Sequence, residues 1–105
     1  MITKQNIARL ARTISDEFAT KKIFVFGSYA NGNPQEESDL DLCVILDLKG
    51  RRRIDMMRDI RLSIDREIDF PMDILVYDER EFWERAKNRS TLEYRIANKG
   101  WLING

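Results

Sequence analysis

Apolar residues recur near the start of the chain at Ile7, Leu10, Ala11, Ile14 and Phe18. This is the i, i+3, i+4, i+7 spacing of one helical face. Thr3 stands where an N-cap is expected, so the pattern predicts a helix over residues 4–19. The period then changes. Residues 22–26 form a short apolar run of β type, ended by Gly27. Residues 31–38 bring together Asn, Gly, Pro and Ser, the chemistry of a loop. Residues 39–46 contain the unbroken stretch Leu42-Cys43-Val44-Ile45-Leu46, expected of a strand buried on both faces.

Helical spacing returns over residues 51–68, with Ile54, Met57, Ile60, Ile64 and Ile68 in near-register, and Pro71 forbids its continuation. Residues 72–77 read as a third strand and residues 79–87 as a short helix. Ser90-Thr91-Leu92-Glu93 has the form of a capping box, and Gly100 is placed to stop the last helix. The expected fold class is α/β (α+β), a small mixed β-sheet of about three strands flanked by helices in the order α-β-β-α-β-α-α. A strand–helix–strand unit of this length implies a right-handed crossover between parallel strands. The connection from Ser28 to Ser38 is too short for such a crossover, so the first strand is expected antiparallel to the second.

Composition narrows the chemistry. The 105 residues predict a single domain over residues 1–105 with one thin core. Lys plus Arg equals Asp plus Glu at 18 each, without the basic excess of a dedicated duplex-DNA binder. There is no histidine and one cysteine. Ser-His-Asp and Cys-His machinery, the usual zinc sites and an intramolecular disulfide are thereby excluded. The cysteine count fits a reducing, cytoplasmic setting, and no apolar run approaches a signal or membrane-spanning segment. Carboxylates, hydroxyls, amines, backbone groups and a hard metal remain.

Three features carry candidate chemistry. Gly27-Ser28 closes a strand, and the free N–H groups after a glycine, with a hydroxyl, suit a phosphate. A plain strand-ending turn would look the same. A P-loop does not fit, because Asn33 and Pro34 follow Gly32 where Lys and Ser or Thr are needed. Asp39 and Asp41 lie two apart on a strand, so they share a face with Cα atoms about 6.6 Å apart. Two such carboxylates repel unless a cation neutralises them, and with oxygen ligands alone Mg2+ is the natural ion. A solvated strand end would also carry such a pair. An EF-hand does not fit, since Cys43 takes the third ligand position. Asp73 opens the third strand at the same edge as the pair in a parallel arrangement. Asp47 and Asp78 fall at the opposite edge, and Asp69 precedes the strand.

Gly27-Ser28, ten intervening residues, Asp39-Leu40-Asp41 and a strand-borne Asp73 together resemble the nucleotidyltransferases of the DNA polymerase β superfamily. The similarity is greatest to the minimal (MNT-type) subfamily. Phe26-Gly27-Ser28-Tyr29-Ala30-Asn31-Gly32 and Ser38-Asp39-Leu40-Asp41-Leu42 carry it. The resemblance implies a two-metal nucleotidyl transfer, with Asp39, Asp41 and Asp73 as catalytic residues and as ligands of two Mg2+ ions. Asp73 would also activate the acceptor hydroxyl. Gly27, Ser28 and Ser38 would bind the nucleotide, with ATP as donor. It further implies an antitoxin role, in which AMP passes to a tyrosine hydroxyl of a small helical HEPN-domain toxin, the chain forming a hetero-oligomer or a homodimer. Asn31 stands where the family often has Arg.

A non-catalytic antitoxin that neutralises its partner by contact alone is the alternative; the intact acids argue against it and Asn31 keeps it open. Nucleic-acid binding through Lys49-Gly50-Arg51-Arg52-Arg53 is disfavoured. That run falls at the edge away from the acids, and Arg51–Asp55 and Arg61–Asp65 have the i, i+4 spacing of ion pairs on a solvated or partner-facing surface. Cys43, Phe82, Trp83 and Trp101 are expected as core or interface residues.

Overall fold

The computed structural model describes residues 2–32, 39–66 and 68–105. Helix α1 (Lys4–Phe18) leads into strands β1 (Lys22–Phe26) and β2 (Leu40–Leu46). Helix α2 (Arg53–Ile64), strand β3 (Met72–Asp78), helices α3 (Glu79–Ala86) and α4 (Leu92–Lys99), and strand β4 (Trp101–Asn104) follow. The sheet order is β3-β2-β1-β4. β2 runs antiparallel to β1 and parallel to β3, as the connection lengths require. The expectation of about three strands is corrected to four. β4 pairs antiparallel with β1, so Trp101 lies in an edge strand rather than trailing the last helix.

Alternation divides the sheet into two faces. Ile23 and Val25, Leu40, Leu42, Val44 and Leu46, and Met72, Ile74 and Val76 meet Ile7, Leu10, Ala11 and Ile14 of α1 and Met56, Ile60 and Ile64 of α2. On the other face Phe24, Cys43, Ile45 and Tyr77 meet Phe82 of α3 and Ile96 of α4. Every residue of β2 is buried except Asp41, which is half-buried. Helices α1, α3 and α4 are held at their starts by side-chain caps, whereas α2 has none. Thr3 and Asn6 form a reciprocal capping box on α1. The Asp78 carboxylate accepts from Arg80 N at the start of α3.

Local details depart from the sequence reading in three places. The cap of α4 is Thr91, which accepts from Tyr94 N, so Glu93 is no capping-box partner. Glu93 is instead buried and accepts a 2.7 Å hydrogen bond from Tyr77 Oη. Helix α2 ends at Ile64, four residues before the expected 68. It buries Met56, Ile60 and Ile64 and leaves Ile54 48% exposed. The face that meets the sheet therefore follows i, i+4, i+8, while Ile54 and Met57 turn toward the free edge of β3. The basic run is largely committed within the fold. Arg51 pairs with Asp59, Arg52 with Asp55, and Arg53 Nε donates to Val76 O at 2.7 Å with its guanidinium over the Tyr77 ring. The expected Arg51–Asp55 and Arg61–Asp65 pairs are replaced by these contacts and by a 2.9 Å bond from Arg61 to Met72 O.

Candidate active site

β2 and β3 begin together because Leu40 N donates to Pro71 O at 3.1 Å, just before the two strands pair. In the register that follows, Asp41 lies directly beside Asp73. Parallel neighbours stand about 4.8 Å apart, so two carboxylates emerge side by side on one face. Asp39, exposed, precedes Asp41 by two residues on that face. On the other flank Asp41 pairs with Phe26, the last residue of β1. The antiparallel run of β1 thus delivers Gly27 to the edge from which the acids rise.

Gly27 has φ +75°, and a Cβ there would lie 2.3 Å from Asp41 Oδ2. Only glycine allows the chain to turn this close to the carboxylate. The turn that follows is tight, with Asn31 N donating to Gly27 O at 3.0 Å. Tyr29 and Ala30 pack against the main core. Ser28 sits half-buried in this fixed turn. Ser38, also expected at the nucleotide, lies outside the described residues.

Burial raises the proton affinity of Asp41, and the charges of Asp73 and then Asp39 raise it further. No hydrogen bond or ion pair to the carboxylate of any of the three aspartates occurs among the described residues. A half-buried carboxylate with two like charges beside it is a site of unbalanced negative charge. Its donor atoms are carboxylate oxygens, and the nearby thiol of Cys43 is buried and pushed up to about 12 by desolvation and by Glu93. That donor set fits Mg2+ and suits a soft metal poorly. The fit is one of donor chemistry: among the described residues no three His, Cys, Asp or Glu side chains already converge as a cage. Asp39 and Asp73 are exposed, and Asp41 is half-buried.

Asp41 and Asp73 border a groove of about 470 Å3 that also touches Phe26, Met57 and Arg61. Arg61 reaches it from α2 around the free edge of β3, fixed by its bond to Met72 O. On the far side of Gly27 a second pocket, of about 330 Å3, includes Asn31, Arg95 and Lys99. None of Arg61, Arg95 and Lys99 is marked by local sequence. Their helical spacing is that of ordinary surface cations, and only the tertiary fold brings them to this corner.

A strand edge bearing in-register acids against a glycine turn is the arrangement expected of a nucleotidyl-transferring enzyme. Residues 7–98 match the family model described as "Nucleotidyltransferase domain", and the chain belongs to that family. The chain is 39% identical over 44 residues to "Putative protein adenylyltransferase MJ1379" of Methanocaldococcus jannaschii, a stretch covering 42% of this chain and 44% of that protein. The match therefore spans less than half of that relative's length.

Solved structures share the fold. A crystal structure of a putative nucleotidyltransferase from Sulfolobus solfataricus aligns with TM-score 0.57 at 22% identity, covering 76% of this chain and 70% of that one. A toxin–antitoxin crystallised with AMP-PNP aligns with TM-score 0.55 at 20% identity, over 99% of this chain and 74% of that one. A mutant of the toxin–antitoxin MntA-HpeT aligns with TM-score 0.53 at 18% identity, over the same shares. Among the described residues no helix is long and apolar enough to cross a membrane.

Proposed function

We propose that the chain transfers the AMP moiety of ATP to a hydroxyl on a partner protein in the cytoplasm. The proposed acceptor is a tyrosine of a HEPN-type toxin, which the transfer silences. The observation that carries this reading is Asp41 beside Asp73 in register, with Gly27 so close that no side chain fits between. The name of the archaeal relative and the toxin–antitoxin fold neighbours, one of them with a bound ATP analogue, support the choice of reaction and partner.

Asp39, Asp41 and Asp73 are the residues that would hold two Mg2+ ions. When bound, these neutralise the phosphates and stabilise the attacking and leaving oxygens of an in-line displacement. The turn at Gly27 and Ser28, with Ser38, receives the phosphates and orients the α-phosphorus toward the acids. The acceptor oxygen forms a bond to that phosphorus, the bond to the β-phosphate oxygen breaks, and pyrophosphate leaves. Asp73 takes the hydroxyl proton; lying on the exposed strand edge, it can pass the proton to water. The raised proton affinity of Asp41 is relieved once cations balance its charge.

Mixing the purified chain with a HEPN toxin and Mg-ATP is expected to add one AMP mass to the toxin in intact-protein spectra, and none with Asp39→Ala. A toxin of unchanged mass in both would overturn the reading. Toxin inhibition by Asp41→Asn equal to wild type would favour neutralisation by contact alone, which the lack of an Arg at Asn31 keeps in view.

A further inference from the structure

Residues 27–38, between Gly27 and the first aspartates, contain no Lys or Arg and do contain Glu36 and Glu37. A nucleotide polyphosphate carries several negative charges, and apart from the proposed Mg2+ and Arg61, which is bonded to Met72 O at the acid groove, the turn and the acid cluster supply none of the opposite sign. The pocket across Gly27 from the acids does supply it. Phe26 lines both this pocket and the acid groove, so the two open onto one corner. On α4, Leu92, Arg95 and Lys99 follow i, i+3, i+7 along the helix wall of the pocket. Arg95 and Lys99 are exposed, and among the described residues neither forms an ion pair.

The helix that carries them is fixed relative to the turn. Thr91 caps its start. At its end a Cβ on Gly100 would lie 2.4 Å from Ile96 O and 3.2 Å from Val25 O, so the chain there is pressed against β1. The helix backbone that carries the two cations is thus fixed relative to the residue that turns beside Asp41.

We infer that Arg95 and Lys99 bind the polyphosphate of the nucleotide, providing from α4 the positive charge that the Gly-Ser turn lacks. The inference rests on the nucleotidyl-transfer reading and names the residues that position the donor. A guanidinium and an ammonium on one wall grip phosphate oxygens through charge-assisted hydrogen bonds. They leave the α-phosphorus on the acid side of Gly27.

Calorimetric titration of the full chain with Mg-ATP, inorganic tripolyphosphate and adenosine tests it, using Arg95→Gln, Lys99→Gln and the double variant. Each single change is expected to weaken Mg-ATP and tripolyphosphate about 10-fold, and the pair about 50-fold. Adenosine binding and the melting temperature should stay as in wild type. Arg95→Lys should recover much of the loss, and the double variant should show a shallower salt dependence. Variants that bind tripolyphosphate as wild type does, or that lose adenosine equally, would overturn the assignment while leaving the transferase reading intact. A wild-type chain that binds neither Mg-ATP nor tripolyphosphate would overturn both.

Discussion

Aspartate stands at both ends of the β2–β3 pair, but the two ends treat it differently. At the C-terminal end Asp47 accepts from Lys49 N at 2.9 Å. Asp78 accepts from Leu48 N at 3.1 Å and from Arg80 N at 3.2 Å, so each carboxylate closes a turn or starts a helix. At the N-terminal end the carboxylates of Asp39, Asp41 and Asp73 meet no donor among the described residues, and burial, then the charges of Asp73 and Asp39, raise the cost of ionising Asp41. A carboxylate satisfied by nearby backbone N–H groups is part of the scaffold. One left half-buried beside its like is held against its own electrostatics, and the usual reason is a ligand that arrives later. The contrast separates structural acids from the proposed catalytic ones within a single pair of strands.

The sharpest way to break the contrast is to exchange the roles. Asp41→Ala and Asp73→Asn are each expected to lower AMP transfer at least about 1,000-fold, whereas Asp78→Asn should keep most of it. Label transferred from radioactive ATP, read on a gel, would check all three. Next in size is Gly27→Ala. It introduces a Cβ 2.3 Å from Asp41 Oδ2 at φ +75°, and displacement of the carboxylate by even 1 Å is expected to cost transfer about 100-fold.

Stability should then order the same residues the other way. Asp78→Ala removes the cap of α3 and a bond to Leu48, and about 1–2 kcal/mol is expected to be lost. That corresponds to a melting temperature lower by about 6 °C. Asp41→Asn should raise the melting temperature by about 3 °C at pH 7 without metal, because the ionised form of Asp41 is the one the fold disfavours. The sign follows from linkage. A folded-state proton affinity above the unfolded one makes the charged form a burden at neutral pH, and protonation relieves it as the solution becomes acidic. The gain from Asn should therefore shrink as the pH falls through the folded-state value of Asp41. Thermal scans at several pH values would record it, and a variant less stable than wild type at pH 7 would contradict the electrostatic account.

The edge that gathers the acids was readable from the chain because three local facts fix it. The connection between β1 and β2 is too short to cross over, the connection between β2 and β3 contains a helix, and side chains alternate along strands. These place Gly27, Asp41 and Asp73 together without any tertiary information. What escaped depends on packing between distant segments. The four residues of β4 have too little length to show a period, and their strand identity comes from the β1 edge they cover. Glu93 fits a capping box by spacing, yet Tyr77, sixteen residues away, draws it inward. Arg61 looks like one half of a surface pair, and only the seating of α2 beside β3 sends it to Met72 O and the acid groove. The inward face of α2 is decided by where the sheet lies, so Met56 is buried and Ile54 is not.

Cys43 sits two residues inward from Asp41 on the same face of β2, sealed beneath α3 and α4, and is the single thiol of the chain. With its proton held to about 12, it is a poor nucleophile in the native state. A maleimide or disulfide reagent would meet it only when the strand opens. The protein thus contains its own clock for breathing next to the acid edge. The rate of labelling, with and without nucleotide, would time how often that part of the sheet comes apart.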